Sequence, residues 1–199
     1  MSAAVVKYHR GMSRWQPDAR GRLERAALEL YIERGFDQTT VAEIAERAGL
    51  TERTFFRHFA DKREVLFGGA VILRDLFVTA VEEAPDGVAP IEAVAAALQA
   101  STPLFEERWE NVLRRQRVVV ANPELQEREL VKLATLASAT ADALRRRGVP
   151  DPAASLTAEA GIAVFKIAFE RWIEEGGERK LSEMFRESLD ELRTVTAAR

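Results

Sequence analysis

Residues 36–62 read Phe-Asp-Gln-Thr-Thr-Val-Ala-Glu-Ile-Ala-Glu-Arg-Ala-Gly-Leu-Thr-Glu-Arg-Thr-Phe-Phe-Arg-His-Phe-Ala-Asp-Lys, and their punctuation describes two short helices around a turn. Thr40-Val41-Ala42-Glu43 fits a capping box, in which the threonine hydroxyl takes an orphan amide and the glutamate reaches back. Val41, Ile44, Ala45 and Ala48 then form an apolar stripe. Gly49 supplies the tight turn, since glycine enters positive φ without a steric penalty. Thr51 caps a second helix, Thr51 to Phe59, whose period sends Leu50, Phe55 and Phe59 toward a core. Thr51, Arg53, Thr54, Phe56, Arg57 and His58 are left toward solvent or a partner. A helix barely over two turns long is marginal alone in water, so packing must hold it. In a helix-turn-helix this second helix enters the DNA major groove, where an arginine grips a guanine through two hydrogen bonds.

The flanks complete a three-helix unit. A preceding helix, Asp18 to Arg34, carries Leu23, Ala26, Ala27, Leu30 and Tyr31 on one face, and Gly35 stops it. Asp61-Lys62-Arg63-Glu64 is predicted to open a long helix reaching Glu83, with free amides and Lys62 suited to a phosphate. Leu66, Gly69, Leu73, Leu76, Phe77 and Ala80 form its stripe, weakened at Gly68-Gly69 by roughly 1 kcal/mol per glycine relative to alanine.

Leu23 to Phe67 resembles the N-terminal domain of the TetR family of bacterial transcriptional regulators. The residues that carry the resemblance are Ala27-Leu28-Glu29-Leu30, Gly35-Phe36, Thr39-Thr40-Val41, Glu43-Ile44-Ala45, Ala48-Gly49-Leu50, Thr54-Phe55-Phe56-Arg57-His58-Phe59 and Lys62-Arg63-Glu64-Val65-Leu66. The resemblance implies that Thr40, Thr51, Arg53, Thr54, Phe56, Arg57, His58 and Lys62 meet DNA. One departure stands out: the family usually has tyrosine where this chain has Phe56, and phenylalanine cannot donate a hydrogen bond to phosphate.

Composition agrees with an all-α chain. At 199 residues and 47% hydrophobic content it can bury a substantial core, and its Ala, Leu, Glu and Arg are strong helix formers. It has no cysteine, which excludes disulfides and thiolate metal sites and fits a reducing compartment. No apolar run is long enough for a membrane span, so a cytoplasmic protein without membrane partners is expected. Charge divides unevenly: 12 bases face 10 acids up to Phe67, against 17 and 22 beyond it. The domain reading is a basic arm over 1–17, with Lys7, Arg10 and Arg14 available to a phosphate or the minor groove. It continues with a helix-turn-helix domain over 18–65 and a helical ligand-binding and dimerisation domain over 66–199.

Beyond the head, Pro90 opens a helix to about Gln99 or Ala100, and Pro103 opens another carrying Phe105, Trp109, Val112, Leu113 and Val118 to Val120. Pro123 starts a helix to Arg147, striped by Leu130, Leu133, Ala134, Ala137, Ala141 and Leu144. Its Arg145-Arg146-Arg147 end suits the negative pole of the helix. Asp151-Pro152 precedes a helix to Glu175 that is apolar on two sides. Ala160, Ala163, Val164, Ile167 and Ala168 lie on one side, with Phe165, Phe169, Trp172 and Ile173 on the other. The last helix runs from Arg179 to Val195. These final two helices are expected to form a homodimer interface, which the resemblance also implies, although packing within one chain would satisfy the same stripe.

The resemblance further implies a small-molecule effector among the middle helices. Phe77, Phe105, Trp109, Phe165 and Phe169 are the candidate liners, with Arg114 or Arg117 to grip an anion. Arg114 to Leu125 and Phe165 to Trp172 are similar to family members that sense fatty-acyl-coenzyme A ligands, so a hydrophobic or acyl-type effector is expected. Aromatics at this spacing also serve as plain core.

Catalysis is not expected. The only histidines, His9 and His58, lack an evident catalytic partner, and the phosphate-cradling, nucleophile-elbow and metal-binding motifs are absent, so no catalytic residue, metal or cofactor is assigned. The expectation is therefore a repressor that binds a palindromic double-stranded operator as a dimer and is released by its effector. A helical protein-interaction module and a ligand-independent regulator are the alternatives; steep salt dependence would separate DNA binding from an apolar protein contact.

Overall fold

The computed structural model describes residues 18–197, and every regular element among them is helical. The helices are α1 (Ala19–Arg34), α2 (Val41–Arg47), α3 (Glu52–His58), α4 (Ala70–Glu82), α5 (Pro90–Glu106), α6 (Trp109–Val120), α7 (Pro123–Arg146), α8 (Ala153–Glu174) and α9 (Leu181–Thr196). A 3-10 turn, Glu64–Phe67, lies between α3 and α4. The chain divides into a head ending at Val65 and a body beginning at Leu66. The expected arm over residues 1–17, with Lys7, Arg10 and Arg14, lies outside the described residues.

In the head, the predicted α1 face of Leu23, Ala26, Ala27, Leu30 and Tyr31 is buried. Phe36 meets Tyr31 edge-on at 5.2 Å, while Phe55 and Phe59 close the core from α3. Fully burying a side chain such as Phe55 contributes roughly 1.5–3 kcal/mol. Val41, expected in the stripe, and Leu50, expected in the core, are only half-buried, because Val41 opens α2 and Leu50 lies in the turn between α2 and α3.

The long helix predicted from Asp61 does not form in one piece. The Asp61 carboxylate accepts from the Arg63 and Glu64 amides at 2.8 and 3.1 Å, which closes a tight turn. The 3-10 turn follows, then Gly68 and Gly69, and α4 begins only at Ala70. Two consecutive glycines lack the propensity to carry the helix across that point.

The break predicted before Pro103 is also misplaced: α5 runs through this proline to Glu106. Pro103 has no N–H for the Gln99 carbonyl, but the Thr102 hydroxyl donates to that oxygen at 3.0 Å. The break falls instead at Glu107 and Arg108.

The body packs α4 against α5 and α7, and α8 against α7, α5 and α9. Its core centres on Phe77, Leu98, Leu144, Phe165, Trp172 and Phe185. Along α7, Leu125, Leu136, Ala137, Ala141 and Leu144 are buried, whereas Leu130 and Ala134 of the predicted stripe are exposed. The Arg145–Arg147 run is spent within the body. Arg145 pairs with Asp142 and Asp151, Arg146 pairs with Glu82, and Arg147 donates to the carbonyls of Glu82, at the end of α4, and of Ala84 and Pro85 beyond it. No helix among the described residues is long and apolar enough to cross a membrane.

Candidate nucleic-acid interface

The turn between α2 and α3 is built from local chemistry. Thr40 and Glu43 form the capping box, with the Thr40 amide donating to the carboxylate at 2.8 Å and the Glu43 amide to the hydroxyl at 3.2 Å. The Thr40 amide, then the Thr40 hydroxyl donating at 2.9 Å, and Arg34 at 2.8 Å hold the Glu43 carboxyl below its ordinary value. At the other end of α2, the Leu50 amide reaches the Ala45 carbonyl at 2.8 Å and the Arg22 guanidinium donates to the Ala48 carbonyl. Gly49 adopts φ 64°, and a Cβ there would stand 2.8 Å from the Arg22 Nη2. Thr51 then caps α3, accepting from the Thr54 amide at 3.2 Å.

This frame fixes what α3 presents. Glu52, Arg53, Phe56 and Arg57 share its exposed face, with Thr51 exposed at the start and Thr54 half-buried at the edge. Most arginines of the described head are already engaged. Arg20 pairs with Glu24, Arg25 with Asp18, Arg34 with Glu43, Arg47 with Glu29 and Glu33, and Arg63 with Asp61, while Arg22 serves backbone carbonyls. The Arg53 and Arg57 side chains make no hydrogen bond or ion pair among the described residues. Two uncommitted guanidinium groups one helical turn apart can bind phosphate or a guanine edge.

Two expected contacts look different. His58 is half-buried, and its Nε2 is shielded from solvent without a hydrogen-bond partner among the described residues. Burial, followed by the nearby Arg57 and Arg20 charges, lowers its pKa. Lys62 does not stand free beside an open helix start. Its ammonium donates to the Phe36, Asp37 and Thr39 carbonyls at 2.9, 3.3 and 3.1 Å and lies 4.3 Å from the Phe36 ring centroid. Three acceptors use all three of its protons, so its evident task is holding the loop between α1 and α2. Glu52 is the one residue of the exposed α3 face that the sequence reading left out.

The expected effector liners are brought together, but against one another. Phe105 lies 5.7 Å from Phe165 and 5.2 Å from Phe169, Phe77 lies 6.3 Å from Phe165, and Trp109 meets Trp172 edge-on at 4.5 Å. Arg114 and Arg117 are exposed on α6, whereas Arg115 turns inward. Arg115 pairs with Glu129 at 3.0 Å, donates to the Leu66 carbonyl at 2.8 Å and covers the Phe67 ring. A cleft of about 350 Å³ opens between α5 and α9, lined by Leu98, Gln99, Phe185, Arg186 and Leu189.

Residues 24–67 match the family described as bacterial regulatory proteins, tetR family, and residues 88–197 match the MftR C-terminal domain. The chain is 42% identical over 81 residues to the HTH-type transcriptional regulator TcmR of Streptomyces glaucescens, covering 41% of this chain and 36% of TcmR. It is 27% identical over 150 residues to MftR, a regulator assigned to mycofactocin biosynthesis in Mycobacterium tuberculosis, covering 74% of this chain and 76% of MftR. Among solved structures, the Thermus thermophilus FadR repressor in complex with lauroyl-CoA superposes with a TM-score of 0.57 at 25% identity, over 90% of this chain and 96% of FadR.

Proposed function

The chain belongs to the TetR family of bacterial regulatory proteins, and from that premise we propose that α3 reads an operator in the DNA major groove. The observation that carries this reading is the pair Arg53 and Arg57, uncommitted on an exposed face whose frame is pinned by two capped helices. Phosphate contacts would fix the register and base contacts the sequence. Selection from a random duplex library tests it. Enrichment of a near-palindromic consensus whose affinity falls steeply with salt is the expected result; no enrichment by folded protein would overturn it.

The regulator acts as a dimer through α8 and α9. In support, α8 carries a second apolar stripe opposite its buried face: Leu156, Ala163 and Ile167 exposed and Ala160 half-buried, spaced 4, 3 and 4 residues apart in the order Leu156, Ala160, Ala163, Ile167. That is the spacing of a coiled-coil seam, and two alanines in it let a second helix approach closely. Leu156 and Ile167 are 67% and 53% exposed in the single chain, an apolar exposure that a second copy would cover. Two-fold symmetry then sets half-sites one DNA turn, about 34–36 Å, or a multiple apart.

Release of a repressed operator by an acyl-type effector is the finer part of the proposal. The aromatic cluster of the body suits an acyl chain, and lauroyl-CoA is the ligand in the FadR complex. Here the rings close on themselves, so an effector must displace them or enter by way of Phe185, which borders the α5–α9 cleft and stacks on Phe165 at 5.7 Å. The same ring packing favours a second reading, a regulator without effector. Lauroyl-CoA titrated into the protein–operator complex separates the two: release supports the first, and full retention at saturating lauroyl-CoA supports the second.

A further inference from the structure

We infer that Phe56 reads the 5-methyl group of a thymine, so that each operator half-site carries an A·T pair opposite the middle of α3. The inference rests on the proposed reading of α3 as the DNA-binding element. Phe56 is 55% exposed, the only aromatic ring on a face otherwise formed by Glu52, Arg53 and Arg57. Helical spacing places it next to Arg53 (i−3) and Glu52 (i−4), within the polar face. The ring cannot turn inward, because Phe55 fills the core beneath it, fully buried and edge-on to Phe56 at 5.5 Å. That contact also braces the ring, so presenting it to a partner costs little side-chain entropy.

The chemistry of the ring narrows the partner. Phenylalanine carries no hydrogen-bonding atom, so it can neither hold a phosphate by hydrogen bonding nor read the donor and acceptor pattern of a base. The major groove offers one apolar feature, the thymine 5-methyl group, and phenylalanine is among the side chains that contact it. Arg53 and Arg57 on the same face are complementary to the surrounding phosphates and guanine edges. An apolar reader beside Arg53 discriminates thymine from cytosine at a position where hydrogen bonding alone would not be engaged.

The test uses the full chain and the duplex that it selects from a random library. Each thymine is replaced in turn by deoxyuracil, which pairs identically but lacks the methyl group. The wild-type protein should lose about fourfold in affinity at one symmetry-related pair of positions, the loss expected for one buried methyl group. Phe56→Ala should bind the thymine and uracil duplexes equally well at those positions while keeping its helical content and melting temperature. A uracil scan that is flat for the wild-type protein, or unchanged by Phe56→Ala, overturns the assignment although DNA binding stands. Failure to select any duplex overturns the α3 interface itself, and the assignment with it.

Discussion

The Lys62 ammonium donates to the Phe36 carbonyl at 2.9 Å while lying 4.3 Å from the centroid of that residue's ring. One side chain thereby ties the segment after α3 to the loop before α2, and two further carbonyls complete its coordination. Lys62→Ala is therefore expected to destabilise the head by about 2 kcal/mol, in the range for hydrogen bonds to a charged group. The denaturant midpoint checks this. An unchanged midpoint with uniformly weaker DNA binding would return Lys62 to the role of a phosphate contact.

His58 makes stability depend on pH. Burial, then the Arg57 and Arg20 charges, depress its pKa below the ordinary 6.5, so the unfolded chain binds more protons once the pH falls past that value. Stability should be complete above about pH 6.5 and decline as the pH drops toward the lower folded-state value. Urea midpoints at two pH values on either side of 6.5 should show a smaller decline in His58→Gln than in the wild type. Equal declines would assign the loss to other groups.

Local signals were legible in the sequence and long-range ones were not. The Thr40–Glu43 box, the Gly35 and Gly49 stops and the Thr51 cap involve residues within a turn of one another, and each appears as its spacing predicts. The inward set of Leu23, Ala27, Leu30, Phe55 and Phe59 follows from helical period alone. Pro103 misled because the Thr102 hydroxyl, an ordinary surface group by composition, supplies the donor that the proline lacks. The carbonyl contacts of Lys62 were not legible because its partners lie 23 to 26 residues away. The inward turn of Arg115, against the exposed Arg114 and Arg117, was not legible because neighbouring arginines cannot be phased without the helix axis.

At Gly161, α8 approaches α5 too closely to leave room for a side chain. A Cβ built there would stand 2.3 Å from Cγ1 of the buried Val94, a branched side chain with little freedom to withdraw. Gly161→Ala should therefore destabilise the body by about 1–3 kcal/mol, despite alanine's better helix propensity. A thermal melt checks the sign; stabilisation would mean that α5 and α8 separate readily.

Ile167→Glu places a carboxylate in the proposed α8 seam, at a position that is already exposed in the single chain. It should convert a dimer to a folded monomer in sedimentation equilibrium and weaken operator binding by removing the second half-site. A variant that remains dimeric would move the interface elsewhere.

The most direct test of the account is the affinity of the selected duplex for Arg53→Ala and Arg57→Ala at fixed salt, with the salt slope of each. Both side chains are exposed and uncommitted, so the variants should melt as the wild type does. Each should nevertheless bind about tenfold or more weakly, with a shallower salt slope where a phosphate contact is lost. Wild-type affinity and slope in both variants would contradict the claim that this face of α3 reads DNA.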